Sequence, residues 1–223
     1  MCFSATASFS AGTVLTVIAF ASLKRTTKPK ERFFALIPLL FALQQFAEGV
    51  LWIILPSSDY TQLEKICTGL FIIIAQIVWP IWVPLSIQKI ENKKFSRQLL
   101  TFFTGLGFII SLCLAWCFIN YEVKAEIDDY HISYHQIYPD IFKGYLGYLY
   151  VLVTIIPPFL SSFKRMWLLG LAILISYLVT KIFYANYLIS VWCFFAAGIS
   201  IIVYFVLSEI KDNVTRIYSE VIT

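Results

Sequence analysis

The sequence predicts an all-α protein, a seven-transmembrane helix bundle with its N-terminus outside and its C-terminus in the cytoplasm. Three observations carry this. Of 223 residues, 60% are hydrophobic and only 13% charged, about half the charge of an ordinary soluble domain. The apolar residues gather into seven runs, each near or above the ~20 residues a helix needs to cross the hydrocarbon. The basic residues collect in alternate connections, the pattern that fixes orientation in a membrane.

The runs cover about 6–23, 33–55, 66–87, 99–119, 144–163, 166–183 and 187–208. They are continuously apolar, so they read as helices; barrel strands would alternate over ~10 residues. The first run has no positive charge before it and no small-residue cleavage site after it, and so reads as an uncleaved span. The connection after it carries Lys24, Arg25, Lys28, Lys30 and Arg32. Lys89, Lys93, Lys94 and Arg97 follow span three, Lys164 and Arg165 follow span five, and Lys211 and Arg216 lie in the tail. Thirteen basic residues thus fall on one side. Lys65, Lys124, Lys143 and Lys181 make four on the other. Only seven spans put all four basic segments on one side, so count and orientation support each other.

Proline marks expected bends: Pro38 in span two, Pro80 and Pro84 in span three, and Pro157 with Pro158 in span five. Each removes a backbone donor, which lipid tolerates only where a neighbour or a cavity satisfies the freed carbonyl. Trp79 to Pro84 read as an interfacial anchor with a broken helix end. No repeat or linker divides the chain, which is one domain over 1–223.

The net charge of +4 is a membrane-orientation signal and not a nucleic-acid footprint. The implied partner is the lipid bilayer, with a further copy or another membrane protein left open. Among five cysteines, Cys113 and Cys117 read as small core residues, and a disulfide between Cys2 and Cys67 is geometrically conceivable.

The strongest functional candidate is Gln44-Gln45-Phe46-Ala47-Glu48-Gly49 in span two. A carboxylate inside a span is costly unless paired, protonated or hydrated, and so marks a site. Gln44 and Glu48 are four apart and Gln45 and Glu48 three apart, which puts them on one helix face. Counting from the inner ends of their spans, Glu48 and Lys181 reach a similar depth, which makes Lys181 a partner to consider; snorkelling to the interface is its alternative. Gln76 of span three and Cys2 complete the expected ligand-binding set. A structural polar cluster is the plainer reading of the same residues.

The long connection 120–143 carries five acidic residues and the chain's two histidines, His131 and His135. Were it helical, Asp128, His131 and His135 would share a face, a spacing compatible with a metal. A lid over the outer mouth is the simpler expectation. The sequence assigns no cofactor and no catalytic residue.

Met-Cys-Phe-Ser-Ala-Thr-Ala-Ser-Phe at the start, with Gln-Gln-Phe-Ala-Glu-Gly in span two, resembles an uncharacterised family of small bacterial multi-pass membrane proteins. The resemblance covers mainly the first two spans, implies a bacterial inner membrane, and brings no activity with it. Other seven-span families fit poorly. No span carries a histidine for a zinc hydrolase, and span seven carries no mid-span lysine for retinal. Three functions therefore stay in view: binding or transport of a small ligand or ion around Glu48; a membrane enzyme using Glu48 as acid or base, with a metal or with Cys2; and a structural subunit of a membrane complex.

Overall fold

The computed structural model describes residues 4–57, 61–139 and 144–222, with the side chains of all but 196, 197 and 213–222. The chain is overwhelmingly helical. Helix α1 (Ala5–Arg25) begins at Ser4, whose side chain accepts from the Ala7 N–H at 3.2 Å. Placing a hydroxyl acceptor at this position satisfies one of the helix's unpaired first-turn donors. A single turn, α2 (Arg32–Ala35), leads into α3 (Ile37–Ile54). Pro38 stands in the first turn of α3, where a missing N–H costs nothing. It therefore starts a helix instead of kinking one.

Helices α4 (Thr61–Ile72) and α5 (Trp79–Ile90) form one rod, joined by a π-helical stretch, Ile73–Val78. Pro80, just beyond, has no N–H to give to the turn below it. Two hydroxyls replace the disturbed ladder: Tyr150 Oη donates to Ala75 O at 2.5 Å, and Ser111 Oγ donates to Ile77 O at 2.6 Å. The π-helical turn is thus held by the two helices packed against it.

Helix α6 (Lys94–Asn120) is followed by an antiparallel hairpin, β1 (Val123–Asp128) and β2 (His131–Gln136). The connection expected as a loop or helix is therefore a sheet. Its apolar side, Ala125 and Ile132, is buried against the bundle, and Tyr134 stacks on Phe71 at 4.6 Å. Helix α7 (Tyr145–Phe159) starts at Gly144, whose φ of +86° is open to glycine and strained for other residues. Helix α8 (Met166–Phe183) leads through a 3₁₀ turn to α9 (Leu188–Phe194), and α10 (Ala196–Ile222) completes the chain.

Among the described residues six helical segments are long and apolar enough to cross a membrane: Ala5–Arg25, Pro29–Ile54, Thr61–Ile90, Lys94–Asn120, Met166–Phe183 and Ala185–Asp212. The remaining expected span, the fifth, is shorter. Helix α7 has 15 residues, or about 22 Å of rise, against a hydrocarbon thickness of about 30 Å. Large apolar side chains such as Val17, Phe20, Ile53, Phe102, Ile119 and Ile182 are exposed on the outer faces of the helices. A soluble protein seldom leaves so much apolar surface open.

The two ends of the bundle differ. At one end lie the turns rich in Lys and Arg, and each is held by a buried or half-buried carboxylate. Glu31 accepts from the N–H groups of Thr27 and Lys28 at 2.6 and 3.1 Å. Glu91 accepts from Ser161, Ser162, Asn92 and Lys93. Glu209 accepts from the N–H groups of Lys164 and Arg165. The hairpin closes over part of the other end.

Candidate functional site

Gln44, Gln45 and Glu48 project from one face of α3, and all three are buried. Ser190 of α9 donates its hydroxyl to Glu48 Oε1 at 2.6 Å, and Gln45 Nε2 lies 3.5 Å from Glu48 Oε2. Gln44 ties helices together. Its Oε1 accepts from Trp79 Nε1 at 3.2 Å, while its Nε2 reaches Phe71 O and Cys193 Sγ, both at 3.4 Å. One amide so connects α3 with α4, α5 and α9. Buried polar groups persist in a fold when they are hydrogen-bonded in this way.

Lys181 does not reach Glu48. Its ammonium sits over the rings of Tyr148 and Tyr177, 5.3 and 5.6 Å from their centroids. Equal depth is not proximity in a bundle. Helix α3 packs on α1, α4, α9 and α10, whereas α8 packs on α7, α9 and α10. Lys181 is exposed in the last turn of α8.

A cavity of about 500 Å³ opens between α5, α7, α8 and α9. Its walls are aromatic and aliphatic: Trp79 and Val83 from α5, Tyr150 from α7, Tyr177 and Leu169 from α8, Trp192 from α9. Trp192 packs against Tyr177 and Tyr150, with centroids 5.2 and 6.0 Å away, and donates its Nε1–H to Ser176 Oγ at 3.0 Å. These bonds fix the ring in the wall.

Gln76 and Lys181 line this cavity; Gln44, Gln45 and Glu48 do not. Gln44 acts on the wall at one remove, through Trp79 and Cys193. Gln76 Nε2 donates to Tyr138 Oη at 2.7 Å, and Tyr138 Oη donates to Gln136 Oε1 at 2.8 Å, which links the cavity to the hairpin. Burial pushes the Tyr138 phenol up to about 12, so it remains a neutral donor. Gln76 Oε1 is buried and has no hydrogen-bond partner among the described residues.

The mouth is framed by Gly147 and Tyr148 on α7 and Lys181 on α8, all exposed. A Cβ placed on Gly147 would meet nothing within 4 Å. The glycine leaves the entrance open.

The helical premise of the metal reading is not met. His131 and His135 lie on one extended strand, where four residues span about 13 Å, too far to share an ion. Asp128 faces His131 across the hairpin and accepts from Tyr187 Oη at 2.7 Å. His135 lies 3.9 Å from Glu126 at the surface. His131 stacks on Tyr187 at 4.4 Å, and burial lowers its pKa below the ordinary 6.5. Among the described residues no group of three or more His, Cys, Asp or Glu is placed to hold a metal. Cys2 lies outside the described residues. Cys67 carries a free, buried thiol, and the disulfide conceived between the two falls on Cys2, outside the described residues.

The aromatic wall escaped sequence reasoning. In the sequence Trp79 reads as part of an interfacial anchor. It is only 5% exposed, packs on Phe41 with centroids 4.2 Å apart, and donates to Gln44. The nearby π-helical turn, which rotates Gln76 and Trp79 relative to a regular helix, has no sequence signature beyond Pro80.

A model described as "Family of unknown function (DUF6629)" matches residues 1–216 of the chain. No curated protein and no solved structure matches it.

Proposed function

We propose that this chain, which belongs to the family of unknown function DUF6629, is an integral membrane protein that binds a small, mostly apolar molecule in the cavity between α5, α7, α8 and α9. The observation that carries the reading is the cavity itself. Its volume of about 500 Å³ falls in the range of small-molecule sites, which are mainly apolar with a few placed polar groups. Gln76 and Lys181 are those polar groups here. Gln76 Oε1 is an acceptor left for a ligand donor.

Gln44, Gln45, Glu48 and Ser190 support the site from behind. Gln44 holds Trp79 and Cys193 in the cavity wall, and Ser190 anchors α9 to α3 two residues before Trp192. Glu48 is then a positioning residue. The basic turns orient the chain with the hairpin end outward and the opposite end in the cytoplasm, in a bacterial inner membrane. The mouth would open toward the outer leaflet, between α7 and α8. Delivery of the ligand across or out of the bilayer would make the protein a carrier, and retention would make it a receptor or store.

Gly147→Leu tests the reading. The position has free space and lies in a helix, where leucine is favoured over glycine. The variant is expected to fold at least as well as wild type and to lose binding of apolar fluorescent probes in lipid nanodiscs. Unchanged probe binding would reject the cavity as the site.

A further inference from the structure

We infer that the cavity takes a single-chain amphiphile with an anionic head, its charge held by Lys181 at the mouth and its acyl chain running down between α7 and α8 toward Leu169. This rests on the binding reading above and names the ligand class.

The first argument is shape. Lys181 and Leu169 both line the cavity and lie twelve residues apart on α8, about 18 Å along its axis. The space is therefore long in the direction of the helices. Its deep end is closed by the buried side chains Leu169, Ile173 and Val83. One extended chain fits a channel of this length and of about 500 Å³, whereas two chains with a bulky head would not be enclosed.

The second argument is charge. Lys181 is a cation at the rim of an apolar space, and no carboxylate pairs with it among the described residues. The faces of Tyr148 and Tyr177 hold its ammonium without neutralising it; cation–π contact is electrostatic attraction to a ring that bears no net charge. An anion arriving at the mouth would meet a positioned charge-assisted donor.

The third argument is access. Helix α7 is short, and the mouth lies in the α7–α8 face, whose outer residues Leu149, Leu152, Ile175 and Ile182 are exposed and apolar. A ligand dissolved in the bilayer would enter sideways, chain first, with its head left at the interface where Lys181 sits.

The experiment uses the full chain in nanodiscs of phosphatidylcholine. Binding is read as quenching of tryptophan emission, since Trp79 and Trp192 line the cavity. The probes are brominated palmitate and the matching brominated hexadecanol, with Gly147→Leu as the blocked control. Palmitate is expected to bind wild type roughly tenfold more tightly than the alcohol, the worth of one charge-assisted hydrogen bond. That preference should vanish in Lys181→Met and persist in Lys181→Arg. Equal binding of acid and alcohol by wild type, both blocked by Gly147→Leu, would overturn the anionic head and leave the apolar cavity standing. Quenching by neither probe would overturn the cavity reading itself. Displacement of palmitate by phosphatidylglycerol as readily as by unlabelled palmitate would overturn the single-chain assignment in favour of a lipid headgroup.

Discussion

Glu91 and Glu48 are both buried carboxylates, and they are satisfied in different places for different ends. Glu91 lies in the turn between α5 and α6 and accepts five hydrogen bonds from Asn92, Lys93, Ser161 and Ser162, the shortest being 2.6 Å from Ser162 Oγ. Burial alone would push its pKa up. The bonds from Ser162, Lys93 and Ser161 outweigh burial and bring it below the ordinary 4.5. A carboxyl whose folded pKa is depressed stabilises the fold above its unfolded pKa and loses that contribution as pH falls through the folded value. Glu91→Gln is therefore expected to cost about 2 kcal/mol near neutrality. The gap in melting temperature between wild type and variant should narrow as pH drops below 4.5. A gap that stays constant down the pH range would show that the charge is not what holds the two turns together. Glu48 faces Ser190 and Gln45 inside the bundle instead, and its contribution is to the position of α9 behind the cavity wall.

Among the elements, the π-helical turn between α4 and α5 sets the shape of the site, and its fit against α6 is unusually close. A Cβ on Gly107 would overlap the Pro80 carbonyl, lying 2.7 Å from its carbon. Gly105, one half-turn away on the same helix, faces open space. Replacing Gly105 by Ala should be neutral or slightly stabilising, because alanine is the better helix former by about 1 kcal/mol. Replacing Gly107 by Ala should destabilise by about 3 kcal/mol, at the upper end of overpacking costs, since backbone and not a flexible side chain must move. Thermal unfolding of the two variants checks this, and equal melting temperatures would sink the close-approach argument. Much at this scale was legible in the sequence. The apolar runs match the helices within a few residues at most ends, because run length is set by burial in one continuous apolar phase. Pro80 announced a disturbed turn, although not the π-helical form that resolves it. The hairpin was not read, yet Val123, Ala125 and Ile127 alternate with Lys124, Glu126 and Asp128 in the period of a half-buried strand. The acidic content masked that alternation, and the turn contains no glycine; Asp129 itself takes the positive φ of 52°. The candidate site was half legible. A buried carboxylate and its amides stand out in an apolar run, but a cavity is space between elements and depends on which helices become neighbours. That is why Gln76 and Lys181 reach it and Glu48 does not.

For the whole molecule the decisive property is the contrast between its two ends. At the basic end Glu31, Glu91 and Glu209 each lock a turn through backbone N–H groups, so helices α1 to α3, α5 to α6 and α7 to α8 are fastened in pairs. At the hairpin end the contacts among the described residues include aromatic stacks and single hydrogen bonds, such as Tyr134 on Phe71 and Tyr187 on Asp128, and the exposed residues that line the cavity lie there. A bundle pinned at one end opens most cheaply at the other, so under the binding function proposed above ligand exchange would take place on the hairpin side. The basic end should also be the cytoplasmic one, since thirteen of the seventeen Lys and Arg residues are assigned to it and positive residues near span ends resist translocation. Single reporter cysteines separate the two orientations. Tyr130 is 72% exposed in the hairpin turn, and Lys28 lies in the first basic turn. In intact cells of a bacterial host, Tyr130→Cys is expected to react with a membrane-impermeant maleimide, and Lys28→Cys only after the membrane is opened. Cys67, Cys117 and Cys193 are buried and should add little background, which labelling of the parent chain measures directly. Labelling of Lys28→Cys but not Tyr130→Cys in intact cells would invert the protein, moving the mouth to the inner leaflet and requiring its ligand to come from the cytoplasmic side.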